Sequence, residues 1–570
     1  MIYDDYIAYT REYVAKYGEK TVVFMQVGDF FELYAIQNDQ QLIGADIYKV
    51  CDLCNIQVSR KNKAMIENTS QNPLMAGFPL SAISKFTQLL VQNQYTIVLI
   101  RQVTPPPNPK REVTEIISPS TYMNSSTNDG IYLMTIFWDQ DKSTTLTSVG
   151  ITCLDITTGA SNIYEAYSTT EDPNFSLDEI LRWIQMFQPK EILLMGETFS
   201  KEVAQFVDNH RYITVHHQWG DAFQKLYKSV SYQNAIIEKA FQSKSLLTPI
   251  ETIGLERLPL AVVSYCAMIQ FTYEHNPTLI QKIEIPKILH NQKHLILESN
   301  SVQQLNILSN SNQDLPLIQL LNRCATAFGS RLFKERLLNP IVSISKLNTS
   351  YDQIEFYQKE NRYKTIIQHL AYIIDLERML RKIALCTLHP SEWNAIEISL
   401  DSCCNVFKFL DLEKELNGLN QMIKYHKDNL NMEECNKYNF TEIYTSLFQR
   451  GIHSDLDEAS NKVESSQHLL KSFASEISKI GENDTTLCRL DYNDRDGYFL
   501  SITKKRWDNA LLSNKHSGCA PGSLASPSPI QIQVQEHTVY LKDCKVKPIS
   551  SSSSVSVSYT HLTLPTILRV

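Results

Sequence analysis

The chain has 570 residues, 43% hydrophobic and 20% charged, with a mean hydropathy of -0.24. These values exclude a disordered or fibrous chain, and at ordinary domain sizes they call for about three to five compact units. A net charge of -8 excludes a chain-wide basic field, so any nucleic-acid contact must come from local patches and shape.

In chain order, Tyr3, Tyr6, Ile7, Thr10, Val14 and Tyr17 recur at helical spacing, and Gly18 stands where a helix cap is wanted. "TVVFMQV" reads as a strand, Gly28-Asp29 as a two-residue hairpin turn and "FFELY" as the returning strand. Alternation puts Phe30, Glu32 and Tyr34 on one face and Phe31 and Leu33 on the other, so an acid lies beside an aromatic. Ile43, Ile47, Val50, Cys51 and Cys54 line a predicted helix that "SRKNK" leaves as a basic turn. "PLMAGFPL" reads as a loop, Ile83, Phe86 and Leu90 as a helix, and "YTIVLIRQV" and "REVTEIIS" as strands around the stiff "TPPPNP". The result is an α/β domain over residues 1–118.

After the break "STYMNSSTNDG" come two long β runs, "IYLMTIFWD" and "TTLTSVGITCLDITTG", the helix "SLDEILRWIQMF" and the strand "KEILLM". They form a second α/β domain over 130–240. Residues 249–480 carry helical patterns almost throughout and read as a helical scaffold. β signals return in "TTLCRLDYNDRDGYFLSITKKRW" and "QIQVQEHTVYL", which define a partial β domain over 481–550. Residues 551–570 show neither helical period nor turn logic; they are expected to be unstructured and to read as linker or frame-shifted sequence.

Cys51 and Cys54 have C-x-x-C spacing, yet no second Cys/His pair follows at zinc-finger distance and both fall on an apolar helix face, so they are assigned to the core. The 12 cysteines sit mostly in apolar patterns, as free buried thiols do. Asp155 lies on a strand, but two-metal chemistry needs several converging carboxylates, so neither a metal site nor a catalytic residue is assigned. No G-x-x-x-x-G-K-[ST] phosphate loop occurs. Two basic clusters stand out, Arg60, Lys61 and Lys63, and Lys504, Lys505 and Arg506.

"GDFFELY" at 28–34 and "MAGFP" at 75–79 resemble the first domain of the MutS family of DNA mismatch-recognition proteins. Downstream, "VGITCLDITTG" is similar to the family's RNase H-like connector, "LLNRCATAFGSRLFKERLLNPI" and "DLERMLRKIAL" to its helical lever core, and "RDGYFLSITKK" to the start of its DNA clamp. The ordered matches span about residues 5–510. The resemblance implies a multidomain α/β and α chain: a mixed α/β mismatch-binding domain, an RNase H-like α/β connector, a mostly helical lever core and the start of a β clamp. It implies that Phe30 enters mismatched double-stranded DNA from the minor groove and stacks on a mispaired base, that Glu32 hydrogen-bonds that base, and that Met75 lies nearby. Arg60, Lys61 and Lys63 would then meet phosphates beside the wedge, and Lys504, Lys505 and Arg506 would hold the backbone from the clamp.

Two departures accompany the resemblance. Glu115 stands where family members carry a basic residue, and the family's C-terminal ATPase and dimerisation domain has no counterpart here. No cofactor is therefore expected in this chain, while ATP, Mg²⁺ and a dimer partner are implied for the complete family protein. The N-terminus lacks a secretory signal and no run of about 18 apolar residues exists, so a reducing intracellular compartment (cytoplasm, nucleus or a DNA-containing organelle) and no membrane partner are expected. The alternative is a structure-selective, metal-dependent nuclease using the Asp155 domain. A third reading, a relative that grips branched DNA, is disfavoured by the Phe30 and Glu32 pair.

Overall fold

The computed structural model describes residues 2–37, 42–60, 62, 65, 68–105, 108–124, 127–141, 143–196, 214–218, 225–242, 246–289, 294–297, 299–308, 315–438, 443, 445–479, 488–493, 497–503, 531–534, 537–540, 545–549 and 559–563. They fall into two compact units, residues 1–423 and 424–570.

The first unit opens with α1 (Ile2–Tyr17), β1 (Thr21–Val27), β2 (Phe30–Gln37), β3 (Leu42–Gly44), α2 (Ile47–Cys54), β4 (Ser59–Arg60), β5 (Leu74–Pro79), α3 (Ile83–Gln92), β6 (Thr96–Gln102) and β7 (Arg111–Ile117). The strands form one sheet in the order β4-β5-β2-β1-β6-β7, with β3 on β2, and only β1 and β6 run parallel. Residues 21–25 of β1 and 96–100 of β6 are buried without alternation because helices cover both faces of the sheet. Tyr6 of α1 packs edge-on against Tyr34 on one face, and Phe86 of α3 packs on Phe78 on the other. Cys51 and Cys54 are buried, and burial pushes both thiols up to about 11.

Two expectations for this region change. "LMAGFP" is strand β5 and not a loop, because pairing with β2 satisfies its backbone, while Pro79 sits at the strand end where a missing N–H is tolerated. Ile43 belongs to β3, and the helix begins only at Ile47, capped by the side chain of Asp46, which accepts from Lys49 N.

A second sheet follows, from β8 (Tyr132–Gln140), β9 (Thr147–Asp155), β10 (Ala160–Tyr167), α4 (Phe175–Phe187), β11 (Glu191–Met195), β12 (Thr214–Gln218) and β13 (Lys287–Ile288). Its order is β12-β11-β8-β9-β10-β13. Trp183, Ile180 and Ile184 of α4 cluster with Ile136, Ile151 and Cys153 on one face. The helix Pro259–His275 covers the other. The sequence groups this helix with the scaffold that begins at residue 249; the structure lays it on β8 and β9, as suits a helix apolar on all sides. Gly150 permits the approach, since a Cβ there would stand 2.2 Å from Leu260 O. Glu165 accepts from Leu260 N and Ala261 N at 2.8 and 2.9 Å, placing an anion at the helix N-terminus.

Most of the other described residues of the first unit are in helices, including Ala327–Leu338, Ile344–Gln358, Leu376–Ala384 and Pro390–Phe409. Leu376–Ala384 carries three buried cations, Arg378, Arg381 and Lys382. Arg378 donates to Thr127 O, Asp129 O and Thr157 Oγ1, Arg381 donates to Leu279 O and Gln281 O at 2.6 and 2.5 Å, and Lys382 pairs with Glu392 at 2.5 Å. These backbone acceptors tie the helix to the second sheet's loops.

The second unit contains the helix Ser454–Lys479 and a sheet of strands Cys488–Asn493, Gly497–Thr503, Tyr559–Thr563 and Lys545–Ile549 in that order. Residues 551–570 are thus not wholly unstructured: the β-prone "YTHLT" pairs with strands on both sides. Gln531–Val534 and His537–Tyr540 are two strands paired antiparallel, where the sequence pattern of "QIQVQEHTVYL" reads as one strand.

Candidate nucleic-acid interface

The candidate site begins at the β1–β2 turn. Val27 pairs with Phe30, and Gly28 takes φ +62° while Asp29 does not turn positive, the pattern of a two-residue hairpin with glycine in its first position. Side chains brace the turn. Gln26 Nε2 donates to Gly28 O at 3.0 Å, Gln102 N donates to Gln26 Oε1 at 3.0 Å, and Arg111 Nε donates to Gln26 O at 2.9 Å. From β5, Leu80 N donates to Asp29 O at 3.0 Å.

On this braced turn Phe30 is 47% exposed, whereas Phe31 is fully buried among Phe24 and Phe78, with the Arg101 guanidinium 5.4 Å from its ring centre. Glu32 is half-buried and accepts the Tyr34 hydroxyl proton on Oε2. Burial, reinforced by that bond, pushes the Tyr34 hydroxyl well above its ordinary value.

The β2–β5 register sets the neighbours: Phe30 faces Pro79, Glu32 faces Gly77 and Tyr34 faces Met75. Met75, expected beside the wedge, therefore lies beside Tyr34, about 13 Å along the strand from the residue opposite Phe30. Gly77 and Pro79 occupy the places nearer Glu32 and Phe30. Sequence reasoning passed over them because "MAGFP" looks like a loop, although its apolar alternation, Leu74, Ala76 and Phe78 inward, was the available signal. Arg60 is partly exposed on β4, beside β5, and donates to Met65 O at 3.4 Å. Lys61, Lys63, Lys504, Lys505 and Arg506 lie outside the described residues. Glu115, on β7, accepts from Asn276 Nδ2 at 3.1 Å, which ties this sheet to the end of the helix Pro259–His275.

Asp155 is buried at the end of β9. Thr157 N and Oγ1 donate to its Oδ1 at 2.9 and 2.6 Å. Burial raises its carboxyl above the usual range, opposed by Thr157 and by Arg378. Among the described residues no three His, Cys, Asp or Glu gather where a metal ion could be held, and no helix is long and apolar enough to cross a membrane.

Fold and site together define a multidomain protein, two α/β sheets joined to a helical body, whose first sheet presents an exposed aromatic beside a carboxylate. Family models described as MutS domain I and MutS domain III match residues 11–126 and 300–517, together more than half of the chain. The chain belongs to the MutS family. It is 30% identical over 556 residues to a DNA mismatch repair protein mutS homolog of Acanthamoeba polyphaga mimivirus, covering 88% of this chain and 49% of that protein. It is 25% identical to the DNA mismatch repair protein MutS of Thermodesulfovibrio yellowstonii, covering 87% and 54%, and 24% identical to the mitochondrial DNA mismatch repair protein mutS homolog of Sarcophyton glaucum, covering 88% and 55%. The chain spans about half the length of the curated relatives it matches.

Proposed function

We propose that the first sheet reads mispaired or unpaired bases in duplex DNA, with Phe30 as the wedge and Glu32 as the hydrogen-bonding partner of the displaced base. The observation that carries this reading is an exposed aromatic on a side-chain-braced hairpin, next to a buried one that anchors the same strand. A mispaired step is poorly stacked, so inserting a ring and kinking the helix costs less there than in paired DNA. Met75 then borders the site on the Tyr34 side. Arg60, Lys61 and Lys63, with Lys504, Lys505 and Arg506, hold phosphates, which position the duplex without specifying sequence.

In the same reading the second sheet is the RNase H-like connector, the helices are the lever core, and the strands after residue 480 begin the clamp. ATP and Mg²⁺ use and dimerisation belong to the family protein beyond the span matched here, and the free cysteines suit a reducing compartment. The nuclease alternative draws no support from Asp155, whose Oδ1 is engaged by Thr157. The test is a titration of matched and mismatched duplexes with the 570-residue chain at several salt concentrations. A tighter grip on the mismatch is expected; equal affinities overturn the reading.

A further inference from the structure

Glu32 can read a base only if its carboxylate stands at a fixed place, and the strand supplies a holder two residues on. The Tyr34 ring is 5% exposed and fixed edge-on to Tyr6, with centroids 5.3 Å apart and planes at 79°. Tyr6 is itself fully buried and donates its hydroxyl to Val23 O at 3.1 Å. The Tyr34 hydroxyl, donating to Glu32 Oε2, is therefore mounted on a rigid support. Across the sheet, Gly77 leaves the space that Glu32 occupies: a Cβ there would stand 3.2 Å from Glu32 Cγ and 2.9 Å from Phe31 O. Tyr34 holds the carboxylate along the strand, and Gly77, by lacking a Cβ, leaves the Glu32 side chain its room across the sheet. An ionised carboxylate has about four acceptor positions on two oxygens, so occupying Oε2 leaves Oε1 able to accept.

We propose that Tyr34 is a positioning residue for mismatch reading: its hydroxyl occupies one oxygen of Glu32 and preorganises the other for a displaced base. The proposal rests on the reading of Phe30 and Glu32 given above. Preorganisation removes the cost of ordering a long, free side chain when the base arrives.

The test is Tyr34→Phe, which keeps the ring and its contact with Tyr6 and removes only the hydroxyl. The ratio of mismatched to matched duplex affinity should fall roughly 2- to 10-fold, the range for one lost hydrogen bond. In a Glu32→Ala background the same change should lower the ratio no further, since Tyr34 acts through Glu32. An equal fall in both backgrounds, or no fall with Glu32 intact, overturns the proposal. Tyr6→Phe controls for loosened packing, because it deletes a buried hydroxyl of the same cluster without touching Glu32. If it lowers the ratio as much as Tyr34→Phe, the proposal also fails. Phe30→Ala, measured in parallel, separates the two levels. A ratio absent or unmoved by Phe30→Ala sinks the mismatch reading, whereas a ratio lowered by Phe30→Ala and unmoved by Tyr34→Phe overturns the positioning role alone.

Discussion

Phe30 and Phe31 are adjacent and chemically identical, yet the strand turns one toward solvent and the other into a cluster with Phe24 and Phe78. Their replacements should fail differently. Phe30→Ala should lower mismatch preference by roughly 5- to 100-fold, the worth of about 1 to 3 kcal/mol of base stacking, with little change in unfolding midpoint. Phe31→Ala should cost about 3 to 5 kcal/mol of stability, read from denaturant unfolding, because it empties a packed aromatic site. His275 provides a second residue-scale expectation. It is buried against Tyr17 and Phe271, and its Nδ1 lies 2.8 Å from Phe271 O. Burial is the main cause that pushes it down to about 4, with His216 and Lys16 adding to the effect and Glu191 opposing it. A depressed folded value means the unfolded chain binds the proton first. The associated stability is whole above about 6.5 and is lost as pH falls toward 4, by roughly 1.4 kcal/mol per pH unit. Glu191 adds a lower window. Burial alone would raise it, but His216 and Ser118 hold it at about 2, so its contribution disappears between about 4.5 and 2. Unfolding measured from pH 7 to 4 should therefore flatten in His275→Phe, and an unchanged slope would refute the assignment.

At the scale of elements, the hairpin was legible because Gly28-Asp29 between two β-rich runs specifies both turn and register. Strand β5 was not, since its Gly and Pro carry loop signals and only the partner strand supplies the missing hydrogen bonds. The helix Pro259–His275 was recognised as helical, but nothing local to it states which sheet it covers. That choice is made by Gly150 and Thr152 on β9, the latter 2.7 Å from Ser264 hydroxyl to hydroxyl. Gly150→Ala should drive a methyl into Leu260 O and destabilise the first unit by about 1 to 3 kcal/mol or more, measurable as an earlier unfolding midpoint. Retained stability would mean that the helix can shift without cost.

For the whole molecule, the proposed function combined with an acidic net charge and short basic clusters requires DNA contacts that are local and salt-dependent. Replacing Lys504, Lys505 and Arg506 with Ala should weaken matched and mismatched duplexes alike and flatten the log-log salt slope by about 0.9 per lost phosphate contact. An unchanged slope removes them from the interface. With no phosphate loop in its sequence, the 570-residue chain should release phosphate from ATP no faster than a blank preparation.

The sequence by itself determined the hairpin and the shared face of Phe30 and Glu32, because "GDFFELY" combines a turn requirement with a period of two; the family and the roles expected of those two residues are what the resemblance of its ordered motifs implies. It also marked Asp155 as a strand acid without the converging carboxylates that two-metal chemistry needs. Only the tertiary structure decided that Gly77 and Pro79, rather than Met75, lie across from Glu32 and Phe30, since register is a property of two strands and not of one. It likewise decided that Tyr34 donates to Glu32 and that Arg378 serves the neighbourhood of Asp155. Those contacts join a hydroxyl or guanidinium to a side-chain acceptor that the strand or turn carrying it brings within reach, and residue type alone specifies neither partner.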